Sequence, residues 1–260
     1  MCLIVFAWQA TPDKRLLLAA NRDELHARPT REAHWWPDRP DCLAGRDLQA
    51  GGSWLAIGRG GRFATVTNYS EQQDRRSWPA SRGLLVTDFL DSAATPFDFA
   101  RSLAGDRYAG FNLLLSDGAE LVYVSNRGDA PVRLEPGIYG LANASLDAPW
   151  PKLLRSRDCL AGLVAAGQAN ETALMRLLAD RQPAAAAEID GTGLPFALAR
   201  AVSAPFIVTP EYGTRCSTVI DWNHAGSVRF VERRFDASAT QTGESAFSFQ
   251  CEPSDRRQNL

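Results

Sequence analysis

"LLLAANRDELHARPT", residues 16–30, decides how the rest of the chain is read. Five apolar residues, Leu16 to Ala20, run without alternation into Asn21, Arg22, Asp23 and Glu24. An unbroken apolar run of this length reads as a strand covered on both faces. The preceding run "CLIVFAW", residues 2–8, has the same character. Between them "QATPDK" carries Pro12 and Asp13, whose turn chemistry closes a hairpin over residues 2–20. A hairpin brings the end of its second strand back beside the start of its first, so the polar residues are expected next to Cys2.

Bulk properties limit what such a site can serve. The 260 residues are 45% hydrophobic and 22% charged, enough for the core of one large domain, and residues 1–260 are read as one. A net charge of -2 without a basic block leaves no footprint for nucleic acid or an anionic membrane, so the expected partner is a small molecule. Cys2, Cys42, Cys159, Cys216 and Cys251 are odd in number and form no CxxC pair. That argues against a disulfide framework and a zinc site, and for a reducing, cytoplasmic compartment. His26, His34 and His224 have no metal-ligand spacing, and neither metal nor cofactor is expected. "MCLIVFAW" has no basic segment before it and no later run approaches the roughly 18 apolar residues of a membrane span, so stable membrane insertion is not expected.

Further hairpins are expected from "SWLAIG" with "RFATVTNYS" turned at Gly60 and Gly61, from "FNLLLSDGAELVYVSN" turned at Asp117-Gly118, and from "TRCSTVIDW" with "SVRFVERRF" turned at "NHAG". Helices are expected after Ser81, whose hydroxyl can cap, after Thr95 with Pro96 in the first turn, and from about Trp150 to Asp180. The tail from about Ala237 is polar and expected to be loosely held. Antiparallel hairpins with helices grouped between them define an α+β layered domain. "GRGGRF" lacks the Lys-Ser/Thr and the following helix of a phosphate loop.

Removal of Met1 would leave a thiol and a free α-amine on Cys2. An α-amine of pKa about 7.7 to 8.0 can act as a general base without histidine. The alternative is a small apolar residue at a strand start. Asp23 can orient the amine and a nearby guanidinium can favour the thiolate; the alternative is a solvated turn with a local Arg22–Asp23 pair.

"MCLIVFAW", "LAANRDE", "GRDLQAGGSWLAI", "GRFATVTNY", "SRGLLVTDFL", "YGLANASLDAPWPKL" and "PEYGTRCSTVI" together resemble the NRDE family, also called transport and Golgi organisation 2. That family is distantly similar to the N-terminal-nucleophile (Ntn) hydrolases of the choloylglycine hydrolase and penicillin V acylase group. The resemblance implies a four-layer αββα sandwich of antiparallel sheets and a Cys2 nucleophile. It also implies catalytic roles for Arg22 and Asp23, although the arginine stands at a different spacing from the aspartate than in the acylases. Asn68 and Asn143 correspond to residues of the oxyanion site. Asn21, in the same stretch, is expected to bind substrate. Arg215 is read either as facing the same cavity or as a surface charge, and Trp35 and Trp36 either as walls of an apolar pocket or as packed core.

Two functions follow. One is a cysteine amidohydrolase of a linear C–N or acyl bond in a small molecule. The other is a non-catalytic carrier of haem or an acyl-lipid ligand, the haem bound non-covalently because no CxxCH motif occurs.

Overall fold

A computed structural model describes residues 2–70, 77–189 and 195–251. The chain opens with β1 (Cys2–Trp8), β2 (Lys14–Leu25), β3 (Thr30–Trp36), β4 (Arg39–Asp47), β5 (Leu55–Gly58) and β6 (Phe63–Asn68). Two helices follow, α1 (Arg82–Asp91) and α2 (Pro96–Arg101), then β7 (Phe111–Ser116), β8 (Leu121–Ser125), β9 (Val132–Arg133) and β10 (Gly137–Leu141). A second helical group, α3 (Pro151–Ala165), α4 (Glu171–Leu178) and α5 (Phe196–Val202), precedes β11 (Tyr212–Asn223), β12 (Ser227–Phe235) and β13 (Gln241–Gln250).

The strands form two antiparallel sheets, ordered β10-β1-β2-β11-β12-β13 and β3-β4-β5-β6-β7-β8-β9. Strand alternation divides their side chains between two kinds of layer. Ile4, Phe6, Trp8, Leu16, Leu18 and Ala20 point to the space between the sheets, where they meet Leu43, Ile57 and Phe63. Leu3, Val5, Ala7, Leu17 and Ala19 point the other way, against Leu153 and Leu160 of α3 and Leu174 and Leu178 of α4. The far face of the other sheet is covered by Leu85, Val86 and Phe89 of α1. The result is the expected four-layer αββα, Ntn-hydrolase-like sandwich. Both faces of β1 and β2 are buried, which explains why their sequences do not alternate.

Local signals hold in most places. Gly61 and Gly118 take φ of 73° and 84° in their turns, a region costly for residues with a Cβ. Thr95 Oγ1 accepts from the Asp98 N–H and Asn170 Oδ1 from the Ala173 N–H, capping α2 and α4. Ser81 precedes α1 but its hydroxyl makes no capping bond, so α1 is held by its packed face. The tail expectation also needs correcting. Residues 241–250 form β13, paired along β12, with Phe247 and Phe249 packed on Trp35. Its alternation of exposed and half-buried residues belongs to an edge strand with one covered face, which composition alone reads as a polar tail. Among the described residues no helix is long and apolar enough to cross a membrane.

Candidate active site

Cys2 stands opposite Arg22 across the β1–β2 ladder, and Leu3 opposite Asn21. β2 runs on past the start of β1, where Asp23, Glu24 and Leu25 pair with Thr214, Gly213 and Tyr212 of β11. The hairpin therefore delivers the polar stretch to Cys2, as its sequence predicts, and the alternation of β2 then sorts its members.

Cys2 and Arg22 share the face between the sheets. They line a cavity of about 10 Å³, together with Ile4, Ala20, Trp54 and Thr65. Space of that size admits about one water. The Arg22 guanidinium, in a side chain 5% exposed, lies 4.2 Å from the centre of the Trp54 ring and donates from Nη1 to Thr30 Oγ1 at 3.1 Å. Its distance to Glu24 is 4.0 Å, and Glu24 is also 3.8 Å from Arg28.

Asn21 and Asp23 point to the helical face. Asn21 Nδ2 donates to the carbonyls of Leu178 and Pro205, both at 2.9 Å, and Oδ1 accepts from Ser217 at 2.6 Å. The side chain expected to contact substrate instead ties the strand to the helical layer, and Asn21 borders the cavity by its place on β2 between Ala20 and Arg22. Asp23 Oδ1 accepts from Thr214 Oγ1 at 2.7 Å. Burial pushes its carboxyl up, against the opposing pull of Lys152 and the Thr214 bond. The Asp23 backbone N–H bonds to the Cys2 thiol. Burial raises that thiol above its ordinary value, more than the neighbouring positive groups lower it, so at neutral pH the sulfur carries its proton.

Asn143, in the loop after β10, receives the Cys2 N–H on Oδ1 at 3.0 Å and donates from Nδ2 to the Asn68 carbonyl at 2.8 Å. Asn68 is exposed at the end of β6. Asn112 Nδ2 donates to Thr67 Oγ1 and to the Ala144 carbonyl, while Tyr123 donates its hydroxyl proton to Asn112 Oδ1, fixing the 142–146 loop to the second sheet. The Asn143 side chain thus touches the Asn68 main chain and holds the α-nitrogen of Cys2, while neither asparagine is among the residues lining the Cys2 cavity.

Three expected binding residues lie elsewhere. Trp36 is 1% exposed, packed in the layer beneath α1, with its indole N–H on the Ala44 carbonyl. Trp35 packs on Phe247 and Phe249 under the Arg59 guanidinium. Neither borders the Cys2 cavity, because they stand at the far end of β3, whose first residue, Thr30, is the one that meets Arg22; the aromatic wall is Trp54. Arg215 donates from Nη1 to the carbonyls of Leu25, His26 and Arg28, closing the β2–β3 turn.

Sequence reading missed Lys152 and the inner pair Cys216 and Glu232. Lys152 is 2% exposed, with Nζ on the Val202 carbonyl at 3.0 Å. Burial lowers its pKa, and Asp23 and Cys2 are the negative influences that oppose this. Its place in "PWPKL", directly after a helix-starting proline, was the available signal. Cys216 is the register partner of Arg22 on the β11 side, and its thiol is hydrogen-bonded to Glu232, which accepts the Ala33 N–H at 2.8 Å. Nothing in the local sequence announces that pair.

A thiol at the second residue, at the start of an inner strand of a four-layer αββα sandwich, defines the class: an Ntn-hydrolase-like fold. The same class emerges from comparison with a solved structure, the C2A mutant of conjugated bile acid hydrolase from Clostridium perfringens. It superposes with a TM-score of 0.51 at 8% identity, covering 96% of this chain and 92% of that one. Residues 1–237 match the family described as Transport and Golgi organisation 2, and the chain belongs to that family. The Transport and Golgi organization protein 2 homolog of Bos taurus is 36% identical over 256 residues, 90% of this chain and 92% of its own length. The Homo sapiens homolog is 35% identical over 277 residues, 96% of this chain and 100% of its own length.

Proposed function

We propose that the protein is a cysteine Ntn hydrolase acting on an amide or acyl bond of a small molecule. The observation that carries this reading is the arrangement at Cys2: its thiol borders a cavity with Arg22, and its α-nitrogen is held by Asn143. A protonated, buried thiol needs a base, and the α-amine released by loss of Met1 is covalently placed to be one.

In the proposed cycle the amine takes the thiol proton and Sγ bonds to the acyl carbonyl carbon. The oxyanion is met by the remaining Nδ2 hydrogen of Asn143 and by the side chain of Asn68; loss of one such donor typically costs about 3 to 4 kcal/mol of transition-state stabilisation. Collapse breaks the C–N bond, and the ammonium proton passes to the leaving nitrogen. Water, losing a proton to the amine, then cleaves the thioester and restores the thiol. Asp23, with Lys152 behind it, sets the field around the amine, and Arg22 favours negative charge on sulfur.

Intact-mass analysis after exposure to amides and thioesters tests the reading. Acyl adducts are expected on the wild-type chain and absent from Cys2→Ala. No adduct or turnover with any acyl donor, together with haem or acyl-lipid binding unchanged in Cys2→Ser, would overturn it in favour of a carrier.

A further inference from the structure

Small-molecule sites enclose about 300 to 1,000 Å³, whereas the space bordered by the Cys2 thiol is about 10 Å³, room for about one water. Anything larger reaches the thiol only if a wall moves. Ile4, Ala20, Leu55, Thr65, Val66 and Thr218 are buried in strands of the two sheets, as are Asn21 and Arg22. Trp54 is the one lining residue besides Cys2 that is half-buried, so it separates the cavity from solvent.

The Trp54 main chain is fixed. Its carbonyl accepts the Val66 N–H and the Thr65 hydroxyl, both at 2.9 Å, and the preceding Ser53 N–H donates to the Gly83 carbonyl of α1 at 3.1 Å. Gly52 lies so close to α1 that a Cβ there would collide with the Gly83 backbone. The ring is held less firmly. Among the described residues its indole N–H has no hydrogen-bond partner, whereas that of the buried Trp36 donates to the Ala44 carbonyl at 3.0 Å. The Arg22 guanidinium lies 4.2 Å from the ring centre, and the outer edge of the ring rests on Gly45, where a Cβ would collide with it. Arg22 is kept in place by Thr30 at 3.1 Å and by its ion pair with Glu24 at 4.0 Å. Of the stacked pair, the ring is therefore the part that can leave.

We propose that Trp54 is the gate of the Cys2 cavity and the side chain that selects what reaches the thiol by size. A slender molecule passes with a small displacement of the ring, and a broad acyl group passes only when the ring swings off Arg22 toward solvent. The acyl group as ligand rests on the hydrolase reading; the gate does not. Attraction between an aromatic face and a guanidinium strengthens out of water, so the closed arrangement is the populated one. With the ring displaced, Ile4, Ala20, Leu55 and Val66 remain as an apolar wall suited to the carbon part of an acyl group.

The test uses the chain lacking Met1 and two alkylating agents with the same reactive carbon, iodoacetamide and the broader iodoacetanilide. Peptide-resolved rates at Cys2 are divided by those at the exposed Cys159 of the same chain, which cancels the intrinsic reactivity of each reagent. In the wild-type chain the normalised rate is expected to be lower for iodoacetanilide by about tenfold or more, the scale of a desolvated cation–π contact. Trp54→Ala should bring the two normalised rates together, and Trp54→Phe, with a smaller ring, should fall between. Equal normalised rates in the wild-type chain would overturn the proposal without requiring any variant to fold, as would an unchanged size preference in folded Trp54→Ala. Acetanilide and phenylacetanilide separate the gate from the hydrolase. Size selection that disappears in Trp54→Ala, with no hydrolysis of either anilide, removes the hydrolase and keeps the gate. Hydrolysis of both anilides, with no size selection in alkylation, keeps the hydrolase and removes the gate.

Discussion

Cys2 and Asp23 occupy opposite faces of one sheet, although Asp23 is a single residue past Arg22, the register partner of Cys2. The thiol faces Arg22 between the sheets, while the carboxylate turns toward Thr214 and the helical layer; its charge and its backbone N–H both act on the sulfur.

Asn143→Leu should lose both bonds that its carboxamide makes, leaving the Cys2 N–H and the Asn68 carbonyl without their partner. An unsatisfied buried group costs about 1 to 3 kcal/mol, and urea unfolding should show a loss on that scale. Cys2 labelling should slow in parallel, because the α-nitrogen loses its anchor.

Lys152→Met strands the buried Asp23 carboxyl, since Lys152 is the foremost group opposing its burial. Loss of that opposing charge should push the Asp23 carboxyl further up and lower the stability of the folded chain. The double variant Lys152→Met/Asp23→Asn should recover part of this in the same unfolding experiment. A cost that simply adds across the two substitutions would show that the charges do not act on each other.

Glu232 gives stability a pH dependence of defined sign. Burial raises its folded pKa above the ordinary 4.5, so its contribution is fully present below that value and is lost as pH rises through the folded pKa. Glu232→Gln cannot ionise and should unfold with nearly wild-type free energy at about pH 4, apart from the amide substitution itself. Relative to wild type it should gain toward pH 8, by about 1.4 kcal/mol for every tenfold by which burial tightens the carboxyl's hold on its proton. Denaturation curves at the two pH values check this.

Alkylation should separate the cysteines by burial. Desolvation pushes Cys42 up to about 12 and Cys251 to about 11, and Cys216 is also raised by burial, so these three should resist iodoacetamide at pH 7 in the folded chain. Cys159 is exposed on α3 and should react. In the Cys159→Ser background the remaining fast label should fall on Cys2 once Met1 is removed, and slow when Met1 is retained.

Gly45→Ala should perturb the site from a distance. A Cβ at this position would collide with the Trp54 ring, the wall that covers Arg22. Overpacking of this kind costs about 1 to 3 kcal/mol. A lower unfolding midpoint, with altered Cys2 labelling, is the expected outcome.

The apolar runs 2–8 and 16–20 determined by themselves that a hairpin buried on both faces begins the chain and returns a polar stretch to Cys2, because strand burial and turn chemistry are local properties. The helix start after Thr95 was similarly written in its cap. Tertiary structure decided what each polar residue does. β2 alternation sends Arg22 to the cavity and Asn21 to the helices, and the partners that give those faces meaning come from residues far along the chain: Trp54, Asn143, Lys152 and Glu232. Trp35 and Trp36 were conspicuous in sequence yet fall on an edge strand away from the thiol, and residues 241–250 became a strand only because β12 offers an open ladder. Side-chain direction along a strand follows from its period, but which layer each face meets is fixed only when the sheets and helices pack.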